Sequence, residues 1–287
     1  MCVDISFQTI KLQDHLTDYF PDLKPDFDTE RLLEDNTHIQ AHARPLARIV
    51  YRDREAIPRL GLMRWGLLSA YMFKDVQSFK KYGFNSFNAR SENLLDPSSA
   101  WYKLRNNRCL IDTAGIYEHR KIKGWKNKVP YYIKFASQKR MLIPALYNYL
   151  QLDAEAIQKI TTNGDKYMLD ALAKTVNIET GEVTGSFTML TRSANTLMQD
   201  IHNDGVNKHR MPLFLPPEKA SDWIEPNLSD EDIKSICSYF IPSEALEAHP
   251  VFSLRTTESR PDHKDKEEPY DWPGLPPLGN DRMGELF

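Results

Sequence analysis

The sequence predicts one α+β domain. Three observations predict it: strand signals crowd into the middle of the chain, helical patterns stand apart from them, and no linker-like stretch interrupts residues 1–249. In chain order, Leu12, Leu16, Tyr19 and Phe20 fall at helical spacing. Leu46–Tyr51 and Leu60–Trp65 read as strands, followed by Arg108–Glu118, Pro130–Phe135 and Met141–Tyr147. Lys174–Ile178 and Ser186–Thr191, around Glu179-Thr180-Gly181-Glu182, read as a hairpin. Ser193 opens a helix to about His202, and Ser229-Asp230-Glu231-Asp232 caps another to Tyr239. From Pro250 onward six of the eighteen prolines fall within thirty-eight residues, so 250–287 is expected to be a proline-rich acidic tail, extended or mobile.

The chain has 287 residues, enough for one large domain or two ordinary ones, with 41% hydrophobic content to build a core. No apolar run approaches the roughly 20 residues of a membrane span. Met1-Cys2-Val3-Asp4 lacks the basic and apolar regions of a secretory signal. The three cysteines, Cys2, Cys109 and Cys237, are odd in number and lack metal-like spacing, which fits a reducing cytoplasm and excludes a disulfide scaffold.

Net charge is −3, yet its distribution is uneven. Trp101–Arg140 carries eleven Lys/Arg against Asp112 and Glu118, whereas Pro216 to the end carries sixteen Asp/Glu against seven Lys/Arg. The run Arg120-Lys121-Ile122-Lys123-Gly124-Trp125-Lys126-Asn127-Lys128 sets an indole among cations. Charge runs are commonly just solvated surface, but phosphate neutralisation combined with base stacking uses this pairing.

Cys2 carries the sharpest chemistry. If Met1 is removed, Cys2 presents an α-amine and a thiol on adjacent carbons. An aldehyde then forms a Schiff base with the amine, the sulfur adds to the same carbon, and a five-membered thiazolidine closes. Both groups have reactive fractions near neutrality, and proximity makes ring closure intramolecular. Position alone does not separate this from a cysteine that merely happens to be second.

Further segments separate them. Met63-Arg64-Trp65-Gly66-Leu67-Leu68 is followed by Asn88-Ala89-Arg90-Ser91-Glu92, then by Arg108-Cys109-Leu110-Ile111 and Gly115-Ile116-Tyr117-Glu118. Pro130-Tyr131-Tyr132-Ile133, Thr191-Arg192-Ser193-Ala194-Asn195, Ile201-His202-Asn203 and Arg210-Met211-Pro212 complete the series. In this order, with Cys2, the chain closely resembles the SRAP family (SOS-response-associated peptidases) from Cys2 to about Leu215. The resemblance implies a barrel-like, mostly antiparallel sheet core flanked by helices. It also implies a DNA-damage response protein that cross-links through Cys2 to abasic sites in single-stranded DNA, with autoproteolytic loss of Met1 and an associated peptidase or lyase activity. A cytoplasmic monomer with no cofactor, metal or membrane partner is expected.

Carried onto this chain, the resemblance makes Cys2 the nucleophile and gives Asn88 the positioning of the terminal residue or opened sugar. Glu118 becomes the general acid/base and His202 a second proton-transfer group. Arg90 would hold a phosphate through its guanidinium fork. Arg64, Lys126 and Arg210 would add cations, and Trp65 and Trp125 are stacking candidates, Trp65 being equally readable as core. Seven residues separate His202 from Arg210, so His209 competes with it; His202 is preferred as the residue ending the Ser193 helix. Relatives often carry Gly-Arg after the cysteine where this chain has Val3-Asp4, so Asp4 is expected to repel phosphate. The Trp that often follows the glutamate is His119 here. His15, His38, His42, His119, His249 and His263 are expected to be surface or satisfied polar groups, and Cys109 and Cys237 buried hydrophobes.

Two rivals differ in class. A cysteine peptidase or amidase acting in trans would turn over peptides in a Cys2-dependent way. A non-covalent single-stranded DNA module would bind in a salt-sensitive way without Cys2.

Overall fold

Side chains alternate along the central strands, and both sets are apolar. In a computed structural model describing residues 2–7, 12, 14–26, 37–84, 86–256 and 258–280, Cys109 and Ile111 point into one hydrophobic cluster and Leu110 into another; Ile49 and Val50, and Ile143 and Leu142, divide the same way. A strand with this pattern is buried on both faces.

The strands are β1 (Asp4–Ser6), β2 (Lys24–Pro25), β3 (Ile39–Gln40), β4 (Leu46–Arg52), β5 (Pro58–Trp65), β6 (Asn88–Arg90) and β7 (Arg108–Thr113), then β8 (Gly115–Arg120), β9 (Val129–Phe135), β10 (Met141–Asn148), β11 (Ser186–Ser193), β12 (Arg210–Pro212) and β13 (Leu246–Pro250). One sheet runs β13-β9-β8-β1-β3, and the other β12-β11-β10-β7-β4-β5-β2, with β6 paired to β11. Parallel pairing of β5 with β11 closes β4, β5, β7, β10 and β11 into a ring, the form taken by the expected sheet core of an α+β domain. The remaining ring pairings are antiparallel. Helices α1 (Ala154–Asn163), α2 (Lys166–Thr175), α3 (Thr196–Ile201), α4 (Pro217–Trp223) and α5 (Asp230–Cys237) flank this core.

Several elements differ from the sequence reading for identifiable reasons. Arg108–Glu118 is two strands, because the chain leaves the ring after Thr113 and joins the second sheet at Gly115. Gly115 permits that passage: a Cβ there would stand 2.5 Å from the Tyr132 ring. Lys174–Ile178 is no hairpin arm, since Asp165 caps α2 and the helix runs through Thr175, leaving only a Val176–Val183 bridge. Ser193 ends β11, and Asn195 caps α3 by accepting from the Met198 N–H. The Ser229 capping box is present as expected. Of the first amphipathic stretch, Leu16–Tyr19 is helical.

Beyond Pro250 the described residues lie against the body. Val251 and Leu254 cover Tyr117 and Tyr132 on the outer face of the five-stranded sheet. The Arg260 guanidinium donates to the carbonyls of Asp265, Glu268 and Pro269, and Arg120 donates to those of Pro276 and Pro277. Residues 281–287 lie outside the described set.

Gly115→Ala forces a methyl group into the Tyr132 ring, and overpacking of this kind costs about 1–3 kcal/mol. Urea unfolding is expected to show that loss as a lower midpoint with an unchanged slope.

Candidate active site and nucleic-acid interface

The two sheets meet at the start of the chain. β1 pairs with β8, Asp4 opposite Tyr117 and Ile5 opposite Ile116, so Cys2 enters beside the strand that carries Glu118. Across the core, β6 pairs in parallel with β11, which sends Ala89 into the helix-side cluster and turns Asn88 and Arg90 to the opposite face. Asn88 Nδ2 donates to the Cys2 carbonyl at 2.9 Å and thereby joins one sheet to the other. Cys2 is 2% exposed, with its thiol 3.6 Å from the Asp4 carbonyl.

Burial, and then the charge of Glu118, pushes the Cys2 thiol well above its ordinary range. Burial raises the Glu118 carboxyl to about 7, and Asp4 adds to the rise. Glu118 Oε1 and Asn88 Oδ1 are both buried, and neither has a hydrogen-bond partner among the described residues. Buried orphan acceptors cost about 1–3 kcal/mol each, so two around one cysteine make a recognisable feature of the site.

His202 ends α3 and is buried, which lowers its imidazole to about 4. Its Nδ1 lies 2.8 Å from the Arg210 carbonyl and 3.3 Å from the Arg210 N–H. The shorter contact is satisfied when Nδ1 carries the proton, which makes Nε2 the basic nitrogen. Next to it, the Asn203 amide accepts from the Lys121 N–H and donates to the Lys121 carbonyl, fastening the end of α3 to the chain just past β8. Lys128, paired with Asp204 at 2.9 Å, acts electrostatically on both Glu118 and His202. His209 is exposed at φ +61° and donates its N–H to the His202 carbonyl, so of the two candidate imidazoles His202 is the one held in the interior.

The proposed nucleic-acid contacts are spread unevenly. Arg90 is exposed and donates to Asn207 Oδ1 at 3.2 Å. Arg210 forks onto Glu92 at 2.6 and 2.8 Å and also donates to the Thr191 carbonyl. Lys126 is exposed, and Trp125 is half-buried with its ring centroid 6.5 Å from that of Trp272. Trp65 is a core residue: its indole N–H donates to the Phe87 carbonyl and its ring stacks on Phe187, leaving no face for a base. Arg64 donates to the carbonyls of Lys174 and Arg44, away from the Cys2 cluster.

Four groups near the site were not singled out as functional from the sequence. The Asp4 carboxylate, expected to repel phosphate, is 1% exposed and spans His38 Nε2 and the Arg255 guanidinium, each at 2.8 Å. Burial opposes its ionisation, yet the His38 hydrogen bond and the Arg255 charge hold it below the usual carboxylate range. His119, the neighbour of Glu118, falls to about 4 through burial, with Asp4, Arg255, Lys128 and His38 all acting on it. Asp4 was legible only as a residue close to Cys2 in sequence; Arg255, about 250 residues away, had no local signal. Cys109 is buried as expected, and Cys237 is partly so. Among the described residues no group of His, Cys, Asp and Glu could hold a metal, and no helix is long and apolar enough to cross a membrane.

A family model of SOS response associated peptidases (SRAP) matches residues 22–254; Cys2 and Asp4 precede that span. The chain is 29% identical over 196 residues to the abasic site processing protein YoqW of Bacillus subtilis, covering 68% of this chain and 70% of that one. It is 26% identical over 201 residues to the abasic site processing protein HMCES of Mus musculus, covering 69% of this chain and 52% of that one. A solved structure from Bacteroides thetaiotaomicron superposes with a TM-score of 0.65 at 21% identity, covering 93% of this chain and 97% of its own. One from Bordetella bronchiseptica does so at 0.60 and 20%, covering 87% and 99%.

The burial of Glu118 has a measurable signature. Its pKa is raised in the folded state, so its neutral form is favoured and its contribution to stability is full below about 4.5 and lost as pH rises through about 7. The shift corresponds to about 3 kcal/mol. Glu118→Gln is expected to remove this dependence, so that the wild type loses stability relative to the variant between pH 5 and pH 8 in denaturant titrations.

Proposed function

The chain belongs to the SOS response associated peptidase family, and from that membership we propose that it processes abasic sites in DNA, capturing the sugar aldehyde in single-stranded DNA through Cys2. The observation that carries this reading is the grip of Asn88 on the Cys2 carbonyl beside a buried Glu118 carboxyl whose Oε1 has no hydrogen-bond partner among the described residues. The names of the relatives, both abasic site processing proteins, support it.

Loss of Met1, which lies outside the described residues, frees the Cys2 α-amine. The amine adds to the aldehyde carbon to give a carbinolamine, which loses water to form an imine. The thiol then adds to the imine carbon, its proton passes to the nitrogen, and the ring closes as a thiazolidine. One C–N and one C–S bond form, and one water leaves. Glu118, with a pKa near 7, holds a proton that it donates as the sugar ring opens and as the carbinolamine hydroxyl departs. Neutral His202 receives a proton at Nε2 and passes it on. Arg90, Arg210, Lys126 and Trp125 bear on the strand on either side of the damaged sugar. The same groups, run in reverse, release the cross-link. For excision of Met1 the Cys2 thiol adds to the Met1 carbonyl, the Met1–Cys2 amide breaks as its nitrogen takes up a proton, and water hydrolyses the resulting thioester to free Met1 and the thiol.

Incubation with an abasic single-stranded oligonucleotide is expected to give a band of higher mass on a denaturing gel, absent with Cys2→Ala. Glu118→Gln is expected to slow its formation roughly 10²–10⁴-fold and to remove the fall in rate above pH 7. Intact mass of the protein is expected to lack Met1. Peptide turnover in trans, or salt-sensitive binding with no covalent product, would replace this reading.

A further inference from the structure

Buried Asp4 places a carboxylate two residues from the cross-linking cysteine, where its charge acts on the Cys2 thiol, Glu118 and His119. An anion there is adverse for a ligand whose own backbone is anionic. The fold answers it from the far end of the chain: Arg255, just past β13, donates from its guanidinium to Asp4 Oδ2 at 2.8 Å. With its amide turned to satisfy both partners, Gln40 on β3 accepts from the same guanidinium at 3.0 and 3.1 Å. Arg255 is thus fixed from one side, yet its side chain is 53% exposed. His38 already supplies Asp4 with a hydrogen-bond partner, so satisfying the carboxylate does not by itself require a second, half-exposed cation.

We propose that Arg255 is a phosphate-binding residue of the DNA site, oriented by Asp4 and Gln40, so that the segment after β13 forms part of the active-site rim; this rests on the single-stranded DNA reading above. Asp4 is two residues from Cys2 and pairs across β1 and β8 with Tyr117, the neighbour of Glu118, so the cation it holds lies near the proposed site of capture. A guanidinium anchored through part of its donor set keeps its remaining N–H groups and its charge for that phosphate. Lys128, which also acts on His119 and pairs with the exposed Asp204, is the corresponding cation on the side of Glu118 and His202.

The test uses the full chain and an undamaged, fluorescently labelled single-stranded oligonucleotide, so that binding is read apart from cross-linking. Arg255→Gln is expected to weaken binding several-fold and to lower the magnitude of the slope of log K against log salt by about 0.7, the loss of one phosphate contact. Asp4→Asn combined with Arg255→Gln removes the buried carboxylate that the single variant leaves to His38, and serves as the variant that keeps its fold. It is expected to remain as weak as Arg255→Gln alone. If Arg255 only offsets Asp4, the double variant regains wild-type affinity and the proposal fails. An unchanged salt slope in Arg255→Gln also overturns it while leaving the Cys2 reading intact. A wild type that does not bind the oligonucleotide removes the single-stranded DNA reading and this inference with it.

Discussion

The hydrogen bond from Asn88 to the Cys2 carbonyl is the constraint on which the site depends. It ties the chain's beginning, which β1 brings in through one sheet, to β6, which belongs to the other. A terminal residue with few lateral contacts frays. Here the strand pairing of Asp4 and Ile5 with β8 holds one side, and the amide of Asn88 holds the carbonyl two residues further out. Asn88 is in turn set by its register with Met189 on β11, a ring strand that cannot shift without moving the core. The position of Cys2 is therefore inherited from the ring.

The same burial that fixes these groups sorts their proton affinities. Glu118 is raised to about 7 and His202 lowered to about 4, which reverses the ordinary order of a carboxylic acid and an imidazole. Between those values both are neutral: the carboxylic acid holds a proton to give, and the imidazole has a lone pair to receive one. Environments that push two titratable groups apart assign the acid and the base. Desolvation is the largest cause in both cases, so the assignment depends on how dry the interior is more than on any single partner. The raised thiol of Cys2 follows from the same cause: burial holds the sulfur as a thiol and not as a free thiolate.

Much of this was legible in the residues. Strands with apolar runs, such as Cys109–Ile111 within β7 and Met141–Tyr147 within β10, announced themselves, and so did the Ser229 cap. What escaped was set by contacts remote in sequence. The break at Gly115 depends on the Tyr132 ring across the sheet. The end of α2 at Thr175 hides in a stretch whose local pattern suits a strand. Trp65 illustrates the limit of motif reading, because its place beside Arg64 says nothing about which way the indole turns; pairing with Phe187 sends it inward. At the site, Asn88 holds the Cys2 carbonyl and Glu118 acts electrostatically on the Cys2 thiol, residues the family order had singled out, whereas the Asp4–Arg255 pair joins distant parts of the chain and no local spacing reveals it.

That pair also distinguishes two kinds of cation around the site. Arg210 is matched by Glu92, which is 47% exposed, and Lys128 by the exposed Asp204. The Lys128–Asp204 pair is exposed on both sides, and such pairs contribute about 0–1 kcal/mol, so that carboxylate can part from its cation at little cost. Asp4 has no such exit. Its carboxylate is enclosed by the strand pairing of β1 with β3 and β8, and without Arg255 His38 would be its remaining side-chain partner among those described. Lys128 is therefore an exchangeable cation, and Arg255 is a fixed one that carries its counter-charge with it. A net charge of −3 hides this arrangement, because the charge presented at the surface is decided by which acids can step aside and which cannot.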